Sequence, residues 1–139
     1  MGHLHKWLES LLVGLDGELD ENARARILES CGRSCISRNF IKKAQRCKHD
    51  AENVEEFIIK LSRTWKHLRR ENGDTYVVYE KCYCPLVRTY SGKLSPTFCN
   101  CSRGWIKELF ESALQKPVDV ELQKSIKHGD NICKFKVHL

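Results

Sequence analysis

The stretch VDVELQKSIKHGDNICKFKVHL, residues 118–139, decides the fold class, because its pattern predicts two short strands joined by a turn. In residues 118–123, apolar side chains alternate with charged or polar ones, as is typical of a half-buried strand. The same two-residue period recurs in residues 133–139, where Cys133 would point into the core. Residues 128–131, His-Gly-Asp-Asn, favour a turn. The C-terminus is therefore predicted to be an antiparallel hairpin.

A helix is predicted immediately before this hairpin. It runs from about residue 103 to residue 115, because apolar residues recur there at helical spacing and Pro117 forces the chain out of the helix. Before it, the β-branched and aromatic residues of 76–84 indicate a strand. After a proline, residues 86–90 favour a second short strand, with its turn at residues 91–93.

Four helices are predicted in the N-terminal half, from apolar residues spaced three and four apart. They cover residues 4–15, 20–31, 36–46 and 51–70, and the last carries the longest continuous apolar stripe. The turn from Gly14 to Gly17 is expected to end the first helix. Asp20 is expected to cap the second at its N-terminus, and Gly32 suits its C-terminal end.

The chain is predicted to be a single α+β domain, residues 1–139. Its helical half, residues 1–72, would pack with a small, mostly antiparallel sheet and one helix, the β(β)αββ half of residues 73–139. A chain of 139 residues is long enough for one compact domain and too short for two. The balance of 41% hydrophobic and 30% charged residues is typical of a globular protein and argues against disorder.

The charge and the apolar runs restrict the partners. A formal charge of +6 is spread over predicted helix surfaces, which favours a solvated face over a nucleic-acid groove. The apolar run at residues 11–13 is broken by Gly14 and Asp16, so we expect a cytoplasmic protein with no membrane span. In a reducing cytosol, eight cysteines favour metal ligands, catalytic thiols or buried hydrophobes over disulfides. The oligomeric state is left open by the sequence.

Two Cys-x-Cys pairs suggest a metal site formed by Cys82, Cys84, Cys99 and Cys101. The period of a strand places the first pair on one face, and the second pair precedes the predicted helix. Four thiolates at such a point can close a tetrahedral site for zinc or carry an iron–sulfur cluster. The alternative is that some of these cysteines are core residues or form a disulfide, since structural zinc sites more often use Cys-x2-Cys.

A second hypothesis makes Cys99 or Cys101 a catalytic nucleophile. Both stand before a helix whose first turn contains Arg103, and a helix N-terminus with a cation favours the thiolate. Glu80 would share a strand face with the first cysteine pair and is the best-placed base. The other candidate bases are His128 and His49. The protein would then be a cysteine-dependent enzyme, either a hydrolase of a small cyclic or amide substrate or a dithiol redox protein.

Cys31 and Cys35 form a third group, separated by four positions and therefore on one helical face if the helix continues past Gly32. They could bring a second dithiol toward the four-cysteine site. They could instead join Cys47 and His49 in a separate site, or simply pack between helices.

The segment from residue 79 to the C-terminus also carries a resemblance. The residues concerned are Cys84-Pro85-Leu86, Cys99-Asn100-Cys101 before a helix with Trp and Phe, Val118–Glu121 and Gly129–Phe135. This pattern resembles the C-terminal part of the 4-vinyl reductase domain superfamily and of L-2-amino-thiazoline-4-carboxylic acid hydrolase-like proteins. The resemblance covers under half of the chain. It implies a small domain that binds small molecules, with cysteines that hold a metal.

The function predicted from these features is a small-molecule-binding or sensory domain with a cysteine-thiolate metal site, most simply zinc. Ser-His-Asp order, a glycine-rich phosphate loop and a His-Glu-x-x-His helix are all missing from the sequence, which favours binding over turnover. Five aromatic side chains on predicted buried faces would either line a ligand cavity or fill the core: Trp65, Tyr79, Trp105, Phe110 and Phe135.

Overall fold

The computed structural model describes residues 2–81, 84, 86 and 94–139, which form five α-helices and a four-stranded antiparallel sheet. The helices are α1 (His3–Glu18), α2 (Glu21–Cys35), α3 (Arg38–His49), α4 (Val54–Ser62) and α5 (Cys99–Leu114). The strands are β1 (Leu68–Glu71), β2 (Asp74–Tyr79), β3 (Asp119–Lys124) and β4 (Cys133–His138). The predicted α+β class, with a helical N-terminal half, is confirmed. None of the described helices combines the length and apolarity needed to cross a membrane.

The sheet has the strand order β1-β2-β4-β3, and every neighbouring pair is antiparallel. The predicted C-terminal hairpin is confirmed, with Val120 opposite Val137 across β3 and β4. On one face, alternate residues such as Phe135 are almost fully buried. The opposite face is charged: Nζ of Lys134 lies 2.9 Å from the carboxylate of Glu71 and 4.3 Å from the centre of the Tyr76 ring.

The main core lies between the buried face of the sheet and helices α4 and α5. Phe57 and Phe110 meet edge to face at its centre, with ring centres 6.2 Å apart. At one side, Phe40 lies 5.4 Å from both Trp65 and Trp105, measured between ring centres. These aromatic rings therefore help to fill the space between the helices and the sheet.

The prediction of one long helix over residues 51–70 is wrong in its second half. Helix α4 ends at Ser62, and residues 68–71 form β1, which pairs with β2. The turn between these strands is Asn72-Gly73, whose φ angles of 52° and 85° are those of a tight hairpin turn. An Asn-Gly dipeptide between two strand-forming segments is a hairpin signal, and here it outweighs the helical spacing of Trp65 and Leu68.

The expected helix ends at glycines are also wrong. Helix α1 continues through Gly14 and Gly17 to Glu18, and α2 continues through Gly32 to Cys35. The predicted cap of α2 is confirmed, because the side chain of Asp20 accepts a hydrogen bond of 2.7 Å from the amide of Ala23. Gly32 has a different role from the one predicted, since it lies at a close crossing of two helices.

The elements around the Cys-x-Cys pairs also differ from the prediction. Strand β2 ends at Tyr79, so Cys84 lies beyond the strand and in no regular element. Cys82 and the turn predicted at residues 91–93 lie outside the described residues. The same holds for the short strand predicted at residues 86–90, except for residue 86, which lies in a turn. Helix α5 begins at Cys99 rather than near residue 103, because a 3-10 turn at Pro96–Phe98 leads directly into it.

Candidate functional site

The candidate site lies where the last turn of α2 crosses the first turn of α5. A Cβ atom built on Gly32 would lie 1.8 Å from the carbonyl oxygen of Cys101, and one on Gly104 would lie 2.0 Å from the carbonyl oxygen of Glu29. Any side chain at either position would clash with backbone, so only glycine permits this approach. The two helices are therefore in direct backbone contact at both glycines.

Ion pairs on both sides of the crossing fix it further. Arg33 Nη1 lies 3.0 Å from carboxylate oxygens of both Glu108 and Glu111 on α5. Glu29 on α2 pairs with two cations on α5, Arg103 at 3.3 Å and Lys107 at 3.8 Å. All these side chains are partly buried, which makes such pairs less screened than fully exposed ones.

Four cysteines gather at this crossing. Cys31 and Cys35 lie one turn apart on α2, Cys101 lies on α5, and Cys84 lies near them. Burial, together with the charges of Cys35, Cys84 and Cys31, raises the pKa of the Cys101 thiol to about 12. The charges contribute because a thiolate is disfavoured beside another thiolate, so each of the other three cysteines lies within electrostatic range of Cys101.

A small apolar cluster forms the floor of this four-cysteine site. It is separate from the main core, and Cys84 and Cys101 both pack against it. Its buried members come from α1, α2 and the segment leading into α5: Leu8, Leu12, Leu28, Leu94 and Phe98. Cys31 and Cys35, in contrast, are exposed and carry free thiols. The site therefore has a dry inner side and an open outer side.

The described side chains do not stand at metal-ligand geometry. Within residues 2–81, 84, 86 and 94–139, no group of three or more Cys, His, Asp or Glu side chains is arranged to hold a metal ion. The cysteines are neighbours, but their sulfurs would have to converge further to share an ion.

The four cysteines predicted to converge are placed as follows. Cys84 and Cys101 do lie together, while Cys82 is outside the described residues. Cys99 faces elsewhere, because its sulfur lies 3.0 Å from the hydroxyl oxygen of Ser125, which follows β3. Residues two apart on a helix project in nearly opposite directions, so the first turn of α5 separates Cys99 from Cys101.

The predicted catalytic bases are exposed side chains. Glu80 is exposed and pairs with Arg69 at 3.3 Å. His49 is also exposed and pairs with Asp50 at 3.3 Å. His128 is exposed on the 3-10 turn at Ile126–His128. Glu80 and His49 thus pair with Arg69 and Asp50 rather than with a cysteine in the contacts described.

The remaining cysteines have structural surroundings. Cys133 on β4 is buried, as predicted, and its sulfur accepts a hydrogen bond of 3.4 Å from the amide of Ile126. Cys47 on α3 is half-buried and packs against the main core. Cys47 packs with the main core and His49 pairs with Asp50, whereas Cys31 and Cys35 act on the charge of Cys101, so the structure supports the approach of Cys31 and Cys35 to Cys101.

A polar groove of about 780 Å³ lies on another side of α5, next to Ser125. Charged side chains of both signs line it, and several are already paired: Arg24 lies 3.4 Å from Asp16, and Arg103 lies 2.7 Å from the carbonyl oxygen of Val120. This lining differs from the aromatic cavity considered from the sequence.

The sequence signal for the crossing is a pair of glycines inside the two helices. Both helices carry a glycine close to a cysteine, Gly32 after Cys31 and Gly104 after Cys101. A glycine inside a well-capped helix is typical of close backbone contact as well as of a helix end. Such a contact at these two glycines places Cys31 and Cys35 of α2 next to Cys101.

A family model described as a family of unknown function (DUF6144) matches residues 3–139. No curated protein and no solved structure gives a significant match. The resemblance of the C-terminal segment to the 4-vinyl reductase domain superfamily stays a prediction.

Proposed function

The chain belongs to this family of unknown function, DUF6144, and we propose that it is a metal-binding domain with a zinc ion held by the thiolates of its four-cysteine site. The ligands are Cys31, Cys35, Cys84 and Cys101. The observation that carries the proposal is the glycine crossing, which holds the two cysteines of α2 against the first turn of α5. Thiolates in a set of four are the preferred ligands of structural zinc.

The spacing of Cys31 and Cys35 suits a shared ion. Residues four apart on a helix have Cβ atoms roughly 5–6 Å apart. In a tetrahedral site with Zn–S bonds of about 2.3 Å, the sulfurs are roughly 3.8 Å apart. Two cysteine side chains inclined toward each other span that difference, so α2 can supply two ligands without a change in its backbone.

Side-chain rotation supplies the remaining convergence. Cys31 and Cys35 are exposed, so they can change χ1 rotamer without repacking the core. Cys101 and Cys84 are held against the apolar floor of the site. The ion would therefore be bound by two positioned thiols from inside and two mobile thiols from the solvent side.

The chemistry of the site favours a cation. Four thiolates without a counter-charge repel one another, and a divalent ion removes that repulsion while it displaces the thiol protons. Because the inner side of the site is dry, the thiolate–metal attraction is screened less than at an open surface.

The geometry gives less support to a cysteine nucleophile. Cys101 has a strongly raised pKa, which leaves little thiolate at neutral pH, and Cys99 is buried beside Ser125. Glu80, the base expected to serve either of them, is on the surface with Arg69.

Metal content tests the proposal. We expect the protein, purified anaerobically with reductant, to contain about one zinc ion per chain, measured by plasma mass spectrometry. Cys35→Ser and Cys101→Ser should lose the ion while their circular dichroism stays helical. Cys47→Ser is the matched control, because Cys47 is a half-buried cysteine outside the site, and it should keep the ion.

Three results would count against the proposal. A wild-type protein that contains no metal and takes up neither Zn²⁺ nor Co²⁺ after reduction would overturn it. An ion that survives Cys35→Ser but is lost in Cys99→Ser would transfer the site to the two Cys-x-Cys pairs. Iron with acid-labile sulfide would replace zinc by an iron–sulfur cluster.

A further inference from the structure

Helix α1 exposes more large apolar side chains than it buries. Only Leu8 and Leu12 are buried among its described residues, whereas Trp7 is 62% exposed and Leu4 is 53% exposed. Leu4, Trp7 and Leu11 follow one another at steps of three and four residues, and Gly14 continues the series. Such a stripe is typical of a seam between two helices. We call these four residues the α1 stripe.

The α1 stripe contains both a projecting side chain and a gap. A Cβ atom built on Gly14 would meet nothing within 4 Å, so the helix surface is open there. A groove of about 500 Å³ lies at this position. Its lining is mostly apolar and comes entirely from α1 and the residue after it: Trp7, Ser10, Leu11, Gly14, Leu15, Glu18 and Leu19. Trp7 is two turns away from the gap at Gly14.

Charge selects the occupant of this groove. The first turn of α1 is the positive end of the helix dipole and carries no acidic side chain, and Glu18 is exposed in the last turn. A parallel neighbour would bring the two Glu18 carboxylates together. An antiparallel copy of the same helix brings Glu18 of each copy beside the positive N-terminal end of the other, and it also opposes the two helix dipoles.

Self-complementarity is what a two-fold interface requires, because the same patch must serve on both sides. Helix α1 meets that requirement with the projecting side chain of Trp7, the gap at Gly14 and the carboxylate of Glu18. We propose that α1 packs antiparallel against α1 of a second copy of this chain, with Trp7 of each copy seated at Gly14 of the other.

The oligomeric state of the full chain tests this proposal. We expect a dimer by light scattering and sedimentation at micromolar concentration. Leu11→Asp should give a monomer, because it places a charge in the seam. Val13→Asp is the matched control: Val13 is 65% exposed on the same helix but lies about half a turn from the α1 stripe, so this variant should stay dimeric.

Two further variants separate loss of the interface from loss of the fold. Gly14→Leu fills the gap on an open helix surface, so it should keep the helical circular dichroism and still give a monomer. Glu18→Lys should raise the dimer dissociation constant at least tenfold, because it places a cation beside the positive N-terminal end of the partner helix. A wild-type monomer at every concentration, or a dimer unaffected by Leu11→Asp and Gly14→Leu, would overturn the proposal.

Discussion

At the scale of single residues, the properties of Cys101 follow from its neighbours. Its side chain packs on an apolar floor and faces other cysteines, and both conditions oppose a negative charge. A thiol of this kind is inert in the absence of a metal. The same residue becomes a strong ligand once a cation balances the charge.

This leads to a prediction for the reduced, metal-free protein. With a pKa of about 12 against an ordinary value of 9.0, Cys101 has about a thousandfold less thiolate at pH 8 than an ordinary cysteine. Iodoacetamide should therefore label the exposed Cys31 long before Cys101, as followed by mass spectrometry of the peptides. The Cys101 labelling rate should keep rising with pH up to about pH 12, because its thiol stays mostly protonated below that pH. Equal labelling rates at pH 8 would contradict the described surroundings of Cys101.

The residue-level predictions from the sequence were correct where local chemistry decides. Asp20 caps α2, and Cys133 lies in the core, because a cap and an alternating strand depend on near neighbours in the chain. Which groups contact Cys99 and Cys101 depends on the residue at which α5 begins. A start four residues earlier than predicted rotates both side chains, and this rotation was not visible in the Cys-x-Cys spacing.

At the scale of elements, the α2–α5 crossing depends on two missing side chains. Gly32→Ala would place a methyl group within 1.8 Å of the Cys101 carbonyl oxygen, so the helices must separate. We expect a loss of about 3 kcal/mol in the free energy of unfolding, at the upper end for overpacking. Urea denaturation followed by circular dichroism measures it.

Gly17→Ala is the control for this variant. A Cβ atom on Gly17 meets nothing within 4 Å, and the residue lies inside α1. Here alanine should stabilise the protein by up to about 1 kcal/mol, because it restricts the unfolded chain. If both variants behaved alike, the close contact at Gly32 would not exist.

The elements themselves were predictable to different degrees. The β3–β4 hairpin and helix α5 have clear periods and turn residues, and they were found. Strand β1 is not predicted from the sequence, because its four residues directly follow an apolar stripe with helical spacing. They also show no clear apolar–polar alternation that would mark the start of a strand. The local signal for this strand is the Asn72-Gly73 turn that follows it rather than its own residues.

At the scale of the whole molecule, Glu111 joins three elements. Its carboxylate accepts hydrogen bonds of 3.0 Å from Arg33 on α2 and 3.1 Å from the amide of Val118, which precedes β3. Burial alone would raise the pKa of Glu111, but these hydrogen bonds outweigh burial and lower it below its ordinary value of 4.5. The ionised form is therefore the one that stabilises the fold.

The expected result is a pH-dependent loss of stability in Glu111→Gln. The contribution of the carboxylate is fully present above the unfolded pKa of about 4.5 and disappears as the pH falls through the lower folded pKa. At pH 7 we expect a loss of about 1–2 kcal/mol, and this difference should shrink as the pH falls below about 4.5. Glu108→Gln should cost less at pH 7, since Glu108 shares Arg33 but not the Val118 amide. A loss independent of pH would contradict the role of the charge.

The candidate site can be predicted only in part from the sequence, and the contacts of Glu111 cannot be predicted from it. The reason is the same for both. Both depend on contacts between residues some seventy positions apart, such as Arg33 with Glu108 and Glu111. Cysteine count and spacing predicted a thiolate site and two of its proposed ligands. The pairing of α2 with α5, which brings Cys31 and Cys35, required the tertiary structure.

The small apolar cluster beneath the cysteines has one more consequence, because it is not part of the main core. Two separate clusters allow two units of local unfolding, and α1 contributes to the smaller one only. Amide hydrogens of α1 should thus exchange with solvent through partial openings that leave the sheet and α4 protected. A metal ion bound by the thiols would slow those openings first. Metal binding would therefore lengthen the time that α1 stays packed on the small cluster.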